Sequence, residues 1–125
     1  MTATLLMLGA VVATVVRVVD GDTLHVRRGG ADVTVRLLGI DCPESHRNRN
    51  RHCAKHAGGC EAELPRGQAA AERARELLRP GDQVALEDVA GVDRYGRTLA
   101  RVRLGDGRDY GELMLREGWC PRYVR

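Results

Sequence analysis

The chain has 125 residues, which suits one domain around one modest core rather than a multi-domain array. With no Phe, one Trp and three Tyr, that core must be built mainly from Val, Leu and Ala. The net charge of +3 suits a polyanionic partner without identifying one, and no apolar run is long enough to span a membrane.

Residues 1–13 open with an apolar run, Leu5 to Ala13, that has no Lys or Arg before it. It reads either as a shortened signal or as a lead-in to the first strand, and residues 14–125 form the single domain. Thr14 to Val19 is mostly β-branched and reads as a strand, turned at Asp20-Gly21-Asp22 into a second strand, Thr23 to Arg27. Gly29-Gly30 is a hairpin turn, after which Val33 to Leu38 forms a third strand with Arg36 and Leu38 on one face. Gly39 is expected to bend that strand so that Arg36 faces a cavity.

Residues 45–60 read as an irregular loop. A helix is expected from Pro65 or Arg66 to Arg79, since Ala70, Ala74, Leu77 and Leu78 share a face with Ala71 flanking it, and Pro80-Gly81 stops it. Gln83 to Val89 and Arg97 to Leu104 are the fourth and fifth strands. Gly105-Asp106-Gly107 is a turn, and Tyr110 to Glu117 is a short helix capped by Gly118. Periodicity by itself supports an α+β class.

Three separated segments carry the chemistry: DGDT (20–23), RLLGIDCPE (36–44) and DRYGR (93–97). Asp-Gly alone is an ordinary turn dipeptide. Together, however, the segments supply acids and arginines of the kind that hold a divalent cation, activate a water and clamp a phosphate. Asp22 and Asp41 are the candidate metal ligands, because a hard cation takes several oxygens. Glu44 follows Asp41 across Cys42-Pro43, where proline restricts the backbone, and is the candidate general base. Arg36 and Arg97 offer planar, permanently charged forks to phosphate oxygens on which charge grows as water attacks. Asp20 and Asp93 read as turn acids that accept backbone amides, and Trp119 as packing. The site reads as an open surface cleft.

The segments VVDGDTL (18–24), VRLLGIDCPE (35–44), DRYGRTLA (93–100) and GELMLREG (111–118) resemble the staphylococcal nuclease family, from about Thr14 to Gly118. The resemblance implies a five-stranded OB-type β-barrel with two or so helices. It implies calcium-dependent hydrolysis of DNA and RNA, single-stranded or frayed, with water attacking phosphorus and 3′-phosphates left behind. By the family pattern the backbone carbonyl of Cys42 joins Asp22 and Asp41 on the metal, with the Cys42 thiol beside it open to oxidation. Arg94 and Tyr95 match a nucleotide-contacting pair, and Tyr123 aligns with a tyrosine flanking the base. Relatives continue past Tyr123 into a further helix, so one buttress of the fold is expected to be missing. The resemblance favours a secreted or periplasmic location and a monomer without a stable protein partner. The alternative is a non-catalytic OB-type module that binds nucleic acid or protein; all five of Asp22, Arg36, Asp41, Glu44 and Arg97 are present, which favours the enzyme.

The 45–60 loop has its own inventory. Arg47, Arg49, Arg51 and Lys55 form an acid-free basic run, read either as a solvated loop or as a phosphate-steering surface. His46, His52, Cys53, His56 and Cys60 read as a structural zinc site, as a Cys53–Cys60 bridge or as free thiols. The four cysteines Cys42, Cys53, Cys60 and Cys120 allow three pairings if all are oxidised.

Overall fold

A computed structural model describes residues 11–45 and 59–123, with the side chains of 59–62 left aside. The elements in chain order are β1 (Val11–Asp20), β2 (Thr23–Arg28), β3 (Ala31–Leu37), α1 (Gly59–Leu77), β4 (Gln83–Glu87), β5 (Thr98–Arg103) and α2 (Tyr110–Arg116). The strands close into a barrel in the order β1-β2-β3-β5-β4. Among the described strands only the β3–β5 seam is parallel, and β4 closes back onto β1. Five strands in this order form an OB-type barrel, whose β1–β2 and β4–β5 loops open on one binding face.

Strand β1 makes closure possible because it serves two neighbours. Its first residues pair with β4, from Val11↔Leu86 to Thr14↔Gln83, and its later ones with β2, from Thr14↔Arg27 to Asp20↔Thr23. Register shifts between Val15 and Arg17 and between Val18 and Asp20 bend the strand. They also break simple alternation, so that Ala13, Val15 and Val18 point inward while Val16 stays exposed. The barrel is filled by aliphatic side chains, among them Leu24, Val26, Val35, Val84, Leu86 and Val102, as a chain without Phe requires. Gly29 and Gly30 both have positive φ and form the tight β2–β3 turn.

Helix α1 lies against β1 and buries Ala70, Ala71 and Ala74, with Leu78 just beyond its end. Small side chains bring its backbone close to the barrel. The helix expected to begin at Pro65 or Arg66 instead begins at Gly59, and Pro65 sits inside it. Glu61, Ala62, Glu63 and Leu64 are good helix formers, which lets the helix extend before Pro65, and Glu63 is buried there. Its end falls at Leu77 rather than Arg79, before the positive-φ turn at Gly81.

Helix α2 is capped by Asp109, which accepts the Glu112 N–H at 2.9 Å, and is closed by Gly118 at φ 79°. Its Tyr110 is fully buried and donates its hydroxyl to the Gly21 carbonyl, tying α2 to the β1–β2 turn. A disulfide joins Cys42 to Cys120 across 78 residues. The thiol expected at Cys42 is thus a half-cystine. The spacing of four cysteines could not reveal this pairing, because only folding brings the segment after α2 beside the one after β3. Trp119 packs against the core and donates Nε1–H to Glu117, as expected of a packing residue.

No described helix is long and apolar enough to cross a membrane. The basic run from Arg47 to Lys55, with His46, His52, Cys53 and His56, lies outside the described residues. Cys60 falls in the first turn of α1 rather than in a loop.

Candidate active site

The β1–β2 turn and the segment after β3 build one cluster. Asp22 is buried at the turn, and its Oδ2 accepts the Cys42 N–H at 2.8 Å. Its Oδ1 accepts the Thr23 hydroxyl at 3.2 Å, and its backbone carbonyl accepts the Leu37 N–H at 2.8 Å. Two of these bonds fix the carboxylate and the third fixes its backbone. Burial pushes its pKa up most strongly, as do Asp20 and Asp41, against the opposing pull of Arg36 and the Cys42 amide.

Strand β3 ends at Leu37, and the positive φ of Gly39 reverses the chain. Arg36 therefore becomes the hub of its own loop. Nη1 donates to the carbonyls of Leu37 at 2.9 Å and Ile40 at 3.0 Å. Nη2 lies 3.4 Å from Asp22 Oδ2 and 3.3 Å from Asp41 Oδ1, so both acids converge on one nitrogen. The loop is held from beyond α2 as well. Ile40 bridges Arg122, Asp41 N–H donates to the Pro121 carbonyl, and Tyr123 N–H donates to the Gly39 carbonyl. Tyr123 thus anchors by its main chain, with its ring half-exposed.

Glu44 follows on this segment. Burial first, and then the negative charges of Asp20, Asp22, Glu63 and Asp41, raise its pKa to about 7. A carboxylate so poised exchanges protons near neutrality, which is what a general base requires. The neighbouring Ser45 donates its hydroxyl to Asp20, the acid read from sequence as accepting turn amides.

The β4–β5 loop builds a second group within its own turn. Asp93 accepts the N–H groups of Tyr95 and Arg97 at 2.9 Å each, and its other oxygen accepts Arg97 Nε–H at 2.9 Å. The guanidinium groups of Arg94 and Arg97 lie 4.9 and 5.4 Å from the Tyr95 ring centre, and Arg94 also donates to the Tyr95 hydroxyl. Tyr95 remains exposed, leaving an aromatic face framed by two cations. Arg97 directly precedes Thr98, the β5 partner of Val35, so this group enters the same parallel seam that carries Arg36.

Arg36 therefore links Asp22 and Asp41, Asp22 holds Cys42, and Glu44 senses the charge of the two acids. Arg94, Tyr95 and Arg97 stand together on the neighbouring loop. Sequence reasoning missed Glu63, a buried acid whose charge reaches Glu44, because it falls between the loop read to residue 60 and the helix read from Pro65 or Arg66. The described residues offer no ready-made cage of three metal-ligating side chains. The donors fit a hard divalent cation all the same. Asp22 Oδ2 and Asp41 Oδ1 both lie within 3.4 Å of one Arg36 nitrogen, the Cys42 peptide adjoins Asp22, and among the described residues Asp20, Glu44 and Glu63 add further acids around that one guanidinium.

A family model described as "Staphylococcal nuclease homologue" matches residues 34–125. The thermonuclease of Staphylococcus intermedius is 39% identical over 91 residues, covering 72% of this chain and 47% of that protein. From Bacillus subtilis (strain 168), the SPbeta prophage-derived endonuclease YokF is 38% identical over 103 residues, covering 82% of this chain and 31% of that protein. Endonuclease YncB of the same organism is 36% identical over 103 residues, covering 82% of this chain and 43% of that protein. The chain spans less than half the length of each of these three relatives.

Proposed function

The chain belongs to the staphylococcal nuclease family, and we propose that it is a calcium-dependent endonuclease hydrolysing phosphodiester bonds of DNA and RNA. The observation that carries this reading is the Asp22–Arg36–Asp41 cluster, tied to the Cys42 amide, with Glu44 following on the same segment within reach of the charges of Asp22 and Asp41. Asp22, Asp41 and the carbonyl of Cys42 would hold calcium, which supplies charge neutralisation at the scissile phosphate. Glu44 takes a proton from the attacking water as its oxygen bonds to phosphorus. The bond from phosphorus to the 5′ oxygen breaks, that oxygen takes a proton from solvent, and a 3′-phosphate remains. Arg36 and Arg97 donate to the phosphate oxygens as their charge grows, which favours the transition state over the bound substrate. Arg94, Tyr95 and Tyr123 hold the nucleotide. Contacts to phosphate and ring faces are indifferent to the sugar and favour single-stranded or frayed substrates. The protein acts as a monomer.

The test is a digest of heat-denatured DNA and of RNA with calcium and with a chelator, followed by end-group analysis of labelled oligonucleotides. Cleavage that needs calcium and leaves 3′-phosphates is expected. Products bearing 5′-phosphates, or binding without cleavage, would overturn the reading, the latter in favour of a binding module.

A further inference from the structure

Gly67 sits inside α1 with an ordinary helical φ, so nothing about its backbone conformation calls for glycine. Glycine is also the poorest helix former after proline. The reason for it is space. A Cβ at this position would lie 1.9 Å from the Glu44 carbonyl oxygen, 2.2 Å from the Glu44 carbonyl carbon and 2.7 Å from the Pro43 carbonyl oxygen. The contacted atoms are backbone and cannot swing aside as a side chain would. We infer that Gly67 is a positioning residue: the bare turn of α1 is the seat on which the Pro43–Glu44 backbone rests, and it fixes where the Glu44 carboxylate points.

The surroundings support a defined seat. On the other side, Cys42 is tied to Cys120 by the disulfide and to Asp22 by its amide, so the segment is held between α1 and the barrel. One helical turn before Gly67, on the same face, the buried Glu63 is close enough for its charge to act on Glu44. Any side chain at position 67 must drive the Glu44 carbonyl back by about 1 Å or more while the neighbouring Cys42 stays anchored. A shift of that size in a catalytic group lowers turnover about a hundredfold.

This inference rests on the proposed role of Glu44, and the experiment separates the two. Steady-state cleavage of a labelled single-stranded oligodeoxynucleotide with calcium is measured for wild type, Gly67→Ala, Glu44→Gln and the double variant. Rates are taken per folded molecule, fixed by circular dichroism, and thermal unfolding is followed alongside. Gln68→Gly, an exposed neighbour, is the control for helix propensity. The expected result for Gly67→Ala is about a hundredfold lower kcat with KM little changed, and no further loss in the Glu44→Gln background. Its Tm should also fall by a few degrees, where helix propensity alone would raise it. Gln68→Gly should leave kcat unchanged. A Gly67→Ala protein with wild-type kcat and a raised Tm would overturn the seat, as would a loss that multiplies with that of Glu44→Gln. Wild-type protein that cleaves nothing would instead overturn the proposed function, and the direction of the Tm change would still decide whether the seat exists.

Discussion

Arg36 and Arg97 look equivalent as motif residues, yet they do different work in the fold. The Arg36 side chain is 15% exposed and holds two acids and two carbonyls, whereas Arg97 sits on a turn acid with 31% of its side chain exposed. An open surface cleft, the expectation from sequence, would let alanine at either position leave the fold intact. The buried Asp22–Arg36 pair changes that. Removing Arg36 leaves Asp22 and Asp41 close together without their shared cation, and breaking such a pair costs on the order of 3 kcal/mol. Both alanine variants are expected to lose about a hundredfold in turnover, the scale of a charged transition-state donor. Only Arg36→Ala should also unfold at distinctly lower urea concentration. Equal unfolding midpoints for the two would contradict the hub role of Arg36. Glu44→Gln is expected to lower kcat by at least about a hundredfold with little change in the unfolding midpoint, measured on the same substrate.

Between elements, the most specific tie is the one from α1 to the end of α2. Arg73 donates to both oxygens of Glu117, at 2.7 and 2.9 Å, and Trp119 adds a third donor at 2.8 Å. The hydrogen bonds from Arg73, and then from Trp119, lower the Glu117 pKa from 4.5 to about 2. Because the folded value is depressed, the folded state is favoured when the carboxylate is ionised. The stabilisation is fully present above 4.5 and is lost as pH falls through about 2. Urea unfolding of wild type and Glu117→Gln should therefore show a difference at neutral pH that shrinks below 4.5 and vanishes near 2. A difference independent of pH would mean that packing, not the ion pair, joins the helices. The early start of α1 belongs at this scale too. Pro65 reads as a helix start from local rules, but α1 continues on its N-terminal side, where Glu63 is buried against the domain.

For the whole molecule, the Cys42–Cys120 link closes 78 residues of chain and joins the site loop to the segment after α2. Confining the unfolded chain to a loop of that length stabilises the fold by about 4.5 kcal/mol on the chain-entropy account. Replacing both cysteines with serine is expected to lower the unfolding free energy by about 2–5 kcal/mol, read from urea denaturation. A loss well under 1 kcal/mol would show that the barrel and α2 already hold the loop without it.

The local content of the chain was legible in its sequence. Five strands, two helices and the Gly29-Gly30 hairpin follow from β-branched runs, helical periodicity and turn residues, all of which act over a few neighbouring positions. The residue types of the candidate site were legible for the same reason, since DGDT, RLLGIDCPE and DRYGR are each contiguous, and what the structure adds is that Asp22, Arg36 and Asp41 meet. The barrel's closure depended on the resemblance, and its geometry on two register shifts in β1 that no alternation pattern announces. Tertiary structure alone decided that Arg36 is held by its own loop, that Cys42 pairs with Cys120, that Tyr110 reaches the Gly21 carbonyl, and that Gly67 lies under Glu44. Three of these contacts join residues more than twenty positions apart, and that of Arg36 needs the reversal at Gly39. Pairings of this kind depend on how the strands close and the helices dock, which is a property of the packed molecule and of no single segment.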